Sequence, residues 1–429
     1  MIPEVKKKID QIRCGIVPEG YKKTKGGIVP VEWTEYAIAD CLKRVERPVE
    51  VKPDEMYTQI GIRSHGKGLF YKEPVNGKSL GNKSVFWIEP NCFVLNIVFA
   101  WEQAIGKTTQ KEVGMIGSHR FPMYQPINER IDIDYLISYL MTKRGKDILE
   151  EASRGGAGRN RTLGQERFMN SKIVLPTPIE QKKIAAILTM QDKVIELERE
   201  KIEEIKKVKR FFLEKMFPKK SETVPEIRFK GFTTPWEQRK FEECFGERRE
   251  RTETENEDTL LSCAINGMFL NSELFGHFRG TTTIGYLKVK KNDLILSAQN
   301  LHLGNANVNL RFEHGIISPA YKVYDLINCE PNFVQAWVKK EDTKNFFLAA
   351  TTEGASQCRK NIEWSTLKRQ IIMMPSYEEQ EKIGQYFANL DNLITLHQRK
   401  LEEEKKKKKA LMQLLLTGTV RVSDEEKYN

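Results

Sequence analysis

The chain has 429 residues, of which 70 are Lys or Arg and 59 are Asp or Glu, so its formal net charge is +11. This length predicts two or more domains with separate cores, and the positive charge favours a polyanionic partner such as nucleic acid. The sequence shows no run of 18 apolar residues and no charged-then-apolar leader, so we expect a cytoplasmic protein without a membrane span.

The segments alternate along the chain between mixed domains and long helices. Short apolar runs interrupted by Gly, Asn and Pro predict mixed domains of strands and helices. Stretches in which apolar residues recur at three- and four-residue spacing predict long helices, and the first has no Gly or Pro between Pro178 and Pro218. In chain order the predicted segments are a mixed domain at 1–175, a long helix at 176–218, a second mixed domain at 219–374, a second long helix at 375–417 and a C-terminal tail at 418–429.

The two predicted helices repeat one sequence. Residues 176–217 align without a gap onto residues 375–416 at an offset of 199, with identity at 14 of 42 positions. The shared anchors are Pro-x-x-x-Glu-Gln-x-Lys-Ile and Asp-x-x-Ile-x-Leu. The mixed domains show weaker parallels, so the sequence predicts an internal duplication of the whole plan.

A helix of this length is unstable alone in water with one apolar face exposed. We therefore predict an α+β fold in which two mixed α/β domains are separated by two long antiparallel helices that pack together around a pseudo-two-fold repeat. The alternative is that each helix belongs only to its own domain. A second apolar stripe, which includes Ile187 and Leu197, predicts that more than one face packs. The residues predicted to pack between the helices are Ile184, Leu188, Ile195, Ile202, Ile205, Phe212, Ile383, Phe387, Leu390, Ile394, Leu401 and Leu411.

A search for catalytic motifs favours a binding protein over an enzyme. Residues 77–79 (GKS) resemble the end of a phosphate-binding loop, but Lys72 stands where that loop needs its first glycine. The six histidines and seven cysteines show neither metal-ligand spacing nor a Cys-x-x-Cys pair. We therefore expect no catalytic residue, no metal and no disulfide framework in this chain.

Polar and basic loop residues are the candidates for contacts to nucleic acid, because such side chains bind phosphates and base edges. The glycine-flanked basic loops that precede the helices, at 155–161 and 354–360, are the preferred sites. The candidates in the first domain are Arg63, Ser64, His65, Lys67, Lys107, Arg154, Arg159 and Arg161, and those in the second are Asn266, Arg279, Gln299, Asn300, His302, Gln357, Arg359 and Lys360.

The alternation of variable domains and repeated helices, with helix openings at 175–181 (LPTPIEQ) and 374–380 (MPSYEEQ), resembles the specificity subunit of type I restriction-modification systems. The segments 20–24 (GYKKT) and 28–33 (IVPVEW) are similar to the start of such subunits. The resemblance implies two target recognition domains that bind a bipartite, asymmetric sequence in double-stranded DNA. It also implies that the helices separate them and bind two methyltransferase subunits, with restriction subunits joining the complex.

The same resemblance implies a non-catalytic chain, whose partners would bind S-adenosylmethionine, ATP and Mg²⁺. Two other functions stay open on the sequence alone. A coiled-coil scaffold for proteins could have similar helices without binding DNA, and salt-dependent binding to duplex DNA would separate it from a specificity subunit. A nucleic-acid enzyme with an unrecognised site is the third.

Overall fold

The computed structural model describes residues 3–24, 27–81, 83–154, 161–219, 222–276, 282–356 and 359–422, with backbone only at 353–356 and 359–361. The chain divides into two compact units. Unit 1 comprises Met1–Leu197 and Leu401–Asn429, and unit 2 comprises Glu198–Lys400. Both long helices therefore contribute to both units.

Unit 1 is built on an antiparallel four-stranded sheet of order β11-β10-β13-β4. Its central strand β10 is wholly buried, and Phe93 lies opposite Tyr124 of β13. Smaller antiparallel pairs surround the sheet, namely β1·β2, β3·β14, β5·β8, β6·β7 and β9·β12. The elements up to the first long helix are α1 (Pro3–Arg13), β1 (Tyr21–Thr24), β2 (Gly27–Pro30), β3 (Thr34–Ala37), β4 (Leu42–Val45), β5 (Met56–Tyr57), β6 (Ile60–Ile62), β7 (Leu69–Tyr71), β8 (Val75–Asn76), α2 (Gly77–Leu80), β9 (Val85–Trp87), β10 (Phe93–Leu95), β11 (Ile105–Lys107), β12 (Ile116–Ser118), β13 (Met123–Pro126), α3 (Ile133–Leu140), α4 (Lys143–Ala152), α5 (Gln165–Asn170), β14 (Lys172–Leu175) and α6 (Pro178–Lys215).

Unit 2 has the corresponding sheet, of order β16-β23-β20-β21, with buried β20 in its interior. Leu294 of β20 lies opposite Tyr324 of β23. The remaining antiparallel pairs are β15·β26, β17·β18, β19·β22 and β24·β25. The elements of this half of the chain are β15 (Glu237–Lys240), α7 (Phe241–Cys244), β16 (Phe245–Arg248), β17 (Leu261–Ala264), β18 (Gly267–Leu270), α8 (Asn271–Leu274), β19 (Leu287–Lys290), β20 (Leu294–Ser297), β21 (Ala306–Val308), β22 (His314–Ile317), β23 (Tyr321–Leu326), α9 (Pro331–Lys339), α10 (Glu341–Leu348), β24 (Thr351–Ser356), β25 (Arg359–Ile362), α11 (Trp364–Arg369), β26 (Ile371–Met374) and α12 (Tyr377–Leu415).

The two units share one topology. Besides the four-stranded sheets, the pairs β3·β14, β6·β7 and β9·β12 of unit 1 recur as β15·β26, β17·β18 and β19·β22 of unit 2. A Trp precedes the first strand of the equivalent pairs, at Trp33 and Trp236, and both rings are buried. The predicted α+β class with two mixed domains and two long helices is confirmed, and the duplication extends through the mixed domains.

Acidic residues lie in the first turn of each long helix, and a glycine with positive φ follows the second helix. α6 starts at Pro178 with Glu180 in its first turn, and α12 has acids in its first turn, where a carboxylate interacts well with the helix dipole. Beyond α12 the backbone turns at Gly418, whose φ of 69° suits glycine. None of the helices in the described part of the chain is long and apolar enough to cross a bilayer.

Candidate functional site

The Glu of the repeated motif is the buried acceptor of a charged network in unit 1. Glu180 is 3% exposed, and its carboxylate accepts hydrogen bonds from Nε and Nη2 of Arg421 at 2.7 and 2.9 Å. The indole N–H of Trp33 donates a third at 3.2 Å. Hydrogen bonding to Glu180 raises the pKa of Arg421 above its ordinary value. The C-terminal tail therefore fastens the start of α6 to the N-terminal part of the chain.

Unit 2 repeats this contact with a different donor. Glu379 is fully buried and accepts hydrogen bonds from Nε and Nη2 of Arg228 at 2.7 and 2.6 Å. Arg228 follows α6 in the chain, whereas Arg421 follows α12, so each Glu binds the Arg that comes after the other helix. The indole N–H of Trp236 is buried and has no partner among the described residues.

The Gln of the motif caps a neighbouring turn in each unit. Oε1 of Gln181 accepts a hydrogen bond from the backbone N–H of Asp132 at 2.9 Å, just before α3. Its Nε2 donates to the carbonyls of Arg130 and Pro176, both at 3.0 Å. Gln380 does the same for the N–H of Glu330, before α9. The Glu and Gln of the repeated motif therefore stabilise the fold of each unit through buried hydrogen bonds. The sequence alone indicates only that the motif begins a helix.

Charged pairs join the two long helices, which run antiparallel within each unit because the start of each packs with the end of the other. In unit 1 the Nζ of Lys408 lies 2.5 Å from the carboxylate of Asp192. In unit 2 the Nζ of Lys209 lies 2.5 Å from the carboxylate of Asp391. Residues 192 and 209 correspond to 391 and 408 at the offset of 199. The same Lys–Asp ion pair between the helices therefore occurs once in each unit.

A buried Glu lies between the helices in unit 2. Glu198 is 2% exposed and contacts Nδ1 of His397 at 2.7 Å and Nζ of Lys400 at 2.8 Å. Hydrogen bonds from Lys400 and His397 lower the pKa of this carboxyl. Residues 198 and 397 are repeat equivalents, so the contact depends on one being an acid and the other a base.

The residues predicted to pack between the helices are all buried or half-buried. Ile184 and Leu188 pack with Leu415 in the core of unit 1, and Ile383 and Phe387 pack with Phe217 in the core of unit 2. Each helix start thus lies in the core of one unit together with the end of the other helix. The buried members are Ile184, Leu188, Ile195, Ile202, Ile383 and Phe387, and the half-buried members are Ile205, Phe212, Leu390, Ile394, Leu401 and Leu411.

The second apolar stripe, from which we predict that more than one face of the helix packs, is largely exposed in the described part of the chain. Leu197 and its repeat equivalent Leu396 are 55% and 56% exposed. Ile187, Val208 and Phe211 are exposed as well. We call this set of exposed apolar side chains, namely Ile187, Leu197, Val208, Phe211 and Leu396, the helix stripe.

Three of the predicted DNA-contact residues of unit 1 meet at one turn. The turn spans residues 96–104, between β10 and β11. Ser64 Oγ donates to the carboxylate of Glu102 at 2.9 Å, and the backbone N–H of His65 donates to the carbonyl of Glu102 at 2.7 Å. The guanidinium of Arg161 lies over the ring of Trp101, 5.6 Å from its centroid. Sequence reasoning missed the residues of this turn itself.

The other candidates in unit 1 have separate surroundings. Arg63 lies over the ring of Phe70, on the same hairpin turn as exposed Lys67. Lys107 pairs with Asp134 and Arg154 with Glu151, so both charges are partly neutralised.

In unit 2 the turn at 297–305, between β20 and β21, contains Gln299, Asn300 and His302. Gln299 and Asn300 are exposed, and Asn266 is exposed on the β17–β18 hairpin. Nζ of Lys339 joins this hairpin to β21 by donating to the carbonyls of Ile265 at 2.7 Å and Ala306 at 2.8 Å. Burial lowers the pKa of Lys339 to about 8.

Three candidates, Arg159, Arg279 and Gln357, lie outside the described residues. Arg359 and Lys360 begin β25, which pairs with β24 to form a hairpin at the position of the predicted glycine-flanked loop. For these two residues the structure describes the backbone. DNA contact stays a prediction at every candidate position, and at these five the structure describes no side chain.

A model of the type I restriction modification DNA specificity domain matches residues 77–207 and 280–405 of this chain. The two matches together cover more than half of the sequence, with one in each half of the repeat. The chain belongs to this DNA specificity family. The prediction drawn from the helix motifs is confirmed.

Curated relatives of this specificity chain match it over nearly its whole length. One is the putative type I restriction enzyme MjaX specificity subunit of Methanocaldococcus jannaschii, 23% identical, with 94% of this chain and 97% of the relative covered. Another is the MjaVIII specificity subunit of the same organism, 22% identical, with 95% and 97% covered.

Solved structures share the fold of the specificity chain. One comes from work on complex assembly and conformational transition of the type I R-M system, with a TM-score of 0.54, 15% identity and coverage of 91% of this chain and 99% of the other. Another is the type I restriction-modification S subunit from M. genitalium, with a TM-score of 0.53, 13% identity and coverage of 89% of this chain and 96% of the other.

Family membership confirms DNA target recognition by a non-catalytic specificity chain. The coiled-coil scaffold without DNA binding has no support. Within the described ranges no group of three or more His, Cys, Asp or Glu side chains is arranged to hold a metal ion.

Proposed function

We propose that this specificity chain recognises a bipartite, asymmetric sequence in duplex DNA, one part through each unit. The supporting observation is that the two units share one topology yet present different polar side chains at matched loops. A repeated scaffold with unlike side chains suits two unlike DNA segments, because base contacts depend on side-chain identity.

We further propose that two methyltransferase subunits bind the long helices, and that restriction subunits join to form the nuclease. The helix stripe supports this, because exposed Leu197 and its equivalent Leu396 offer a similar apolar contact on each unit. Exposed apolar patches of this kind commonly mark protein interfaces. The partners would supply S-adenosylmethionine, ATP and Mg²⁺ sites, and the complex would act in the cytoplasm.

The test uses the full chain co-purified with the methyltransferase subunit encoded beside it. We expect a stable complex that binds duplex DNA, with an affinity that falls steeply as salt rises because phosphate contacts release counterions. Methylation should occur at one interrupted sequence. A complex that binds duplex DNA with no sequence preference would contradict the proposal.

A variant of the same complex tests the helix stripe. Leu197→Asp with Leu396→Asp should prevent co-purification of the methyltransferase subunit while leaving the fold of the chain intact, because both side chains are exposed. Glu203→Gln, also exposed on α6, is the matched control and should leave the complex intact. Unchanged assembly of the Asp variant would show that the partner binds elsewhere.

A further inference from the structure

The turns at 96–104 and 297–305, which we call the matched turns, have the same backbone. Both open with a bond across the turn, from the N–H of residue 96 to the carbonyl of 104 and from that of 297 to that of 305, at 2.9 and 3.1 Å. Inside each, a short 3-10 helix follows, at Ala100–Glu102 and Leu301–Leu303. The residues before these helices, Phe99 and Asn300, have φ, ψ of −123°, 18° and −122°, 18°.

Two adjacent positions of this shared backbone behave differently. Ala100 and Leu301 occupy the same position and are fully buried apolar residues. At the preceding position Phe99 is 41% exposed and Asn300 is exposed. The buried position thus maintains the turn, whereas the exposed position is free to vary.

Each matched turn is held rigidly. It follows directly on β10 or β20, whose residues are all buried. A side chain on such a support is positioned more accurately than one on a free loop. The guanidinium of Arg161, which lies over the ring of Trp101 in unit 1, places a positive charge beside the turn.

We propose that residues 99 and 300 are specificity-determining residues of the two units. This inference rests on the proposed function, recognition of duplex DNA by both units. The amide of Asn300 suits a bidentate pair of hydrogen bonds with N6 and N7 of adenine, and the ring of Phe99 suits contact with the methyl group of thymine. Among the contacts described for the chain, none uses the amide group of Asn300, so it is available to a base.

The test measures methylation by the full chain with its methyltransferase subunit on duplexes that vary at every target position. Asn300→Ala should reduce discrimination at one adenine in one part of the target, by about 5- to 160-fold. Phe99→Ala should reduce the preference for thymine at one position in the other part of the target. Gln238→Ala removes an exposed amide from β15 and serves as the control, with no change in either part.

Asn300→Asp gives a readout that loss of folding cannot imitate. A carboxylate accepts a hydrogen bond from N4 of cytosine but cannot donate to N7 of adenine. The preferred base should therefore change from adenine to cytosine. Unchanged preference, or an equal loss of methylation on every sequence, would overturn the inference. If the unsubstituted complex itself showed no sequence preference, the proposed function would fail instead.

Discussion

Substitution of Arg228 by Ala should destabilise the start of α12 in unit 2 far more than substitution of Arg421 by Ala destabilises the start of α6 in unit 1. Glu379 is fully buried and Arg228 is 12% exposed, whereas the side chain of Arg421 is 28% exposed. In Arg228→Ala the carboxylate keeps no other partner among the described side chains. Breaking a buried ion pair in this way costs about 3–5 kcal/mol.

The corresponding loss in unit 1 is smaller for two reasons. Glu180 keeps the hydrogen bond from Trp33, and the more exposed guanidinium of Arg421 is better screened by water. We therefore expect Arg421→Ala to cost about 1.5–2 kcal/mol, at the lower end of the range for a hydrogen bond to a charged group.

Hydrogen exchange followed by mass spectrometry measures this locally and does not require both units to unfold together. A free-energy change of about 1.36 kcal/mol changes the equilibrium constant for local opening by a factor of ten. The exchange rate at the start of α12 should therefore rise about 160- to 5,000-fold in Arg228→Ala. Exchange at the start of α6 should rise about 13- to 30-fold in Arg421→Ala. Arg228→Met with Glu379→Leu should recover most of the loss. Equal effects in both units, or none in Arg228→Ala, would show that the greater burial of the Arg228–Glu379 pair does not determine how strongly it stabilises unit 2.

Three further predictions concern stability. Gln181→Ala should destabilise the start of α3 by about 2–3 kcal/mol, because the N–H of Asp132 loses its acceptor, and hydrogen exchange there would show it; unchanged protection would contradict this. The ion pair of Asp192 and Lys408 is partly exposed, so a double-mutant cycle should give a coupling of about 0.2–1 kcal/mol that falls with salt, and a salt-independent coupling would argue against it. Burial raises the pKa of Glu247, but hydrogen bonds from neighbouring cations outweigh it and lower the pKa to about 2. Its stabilising contribution is complete above its ordinary pKa of 4.5 and is lost as the pH falls towards 2, so a Gln variant should flatten the pH dependence of opening in unit 2 over that range.

The helices could be predicted from sequence because helical periodicity and the gapless repeat are local signals. The partners of their motif could not. Glu180 binds Arg421, which is 241 positions away in the chain, and no spacing rule indicates such a contact. The sequence therefore shows that the Pro-x-x-x-Glu-Gln motif is repeated, but only the structure shows the contacts that its side chains make.

The candidate site was predicted less completely. Gln299 and Asn300 were named because their side chains suit base edges, and the structure places both on an exposed turn. Phe99, at the equivalent position, gives no such signal, because it is apolar and the matched turns are related by an offset of 201 rather than 199. Only the backbone shows that positions 99 and 300 are equivalent.

Recognition of one part of a DNA target by each unit can be tested in a chimaera. Residues 38–171 are exchanged for the corresponding segment of another family member, and methylated positions are mapped after co-expression with the methyltransferase subunit. The exchange leaves β3, β14, both long helices and the tail in place. We expect a new sequence in one part of the target, with the other part unchanged. A change in both parts, or in neither, would contradict it.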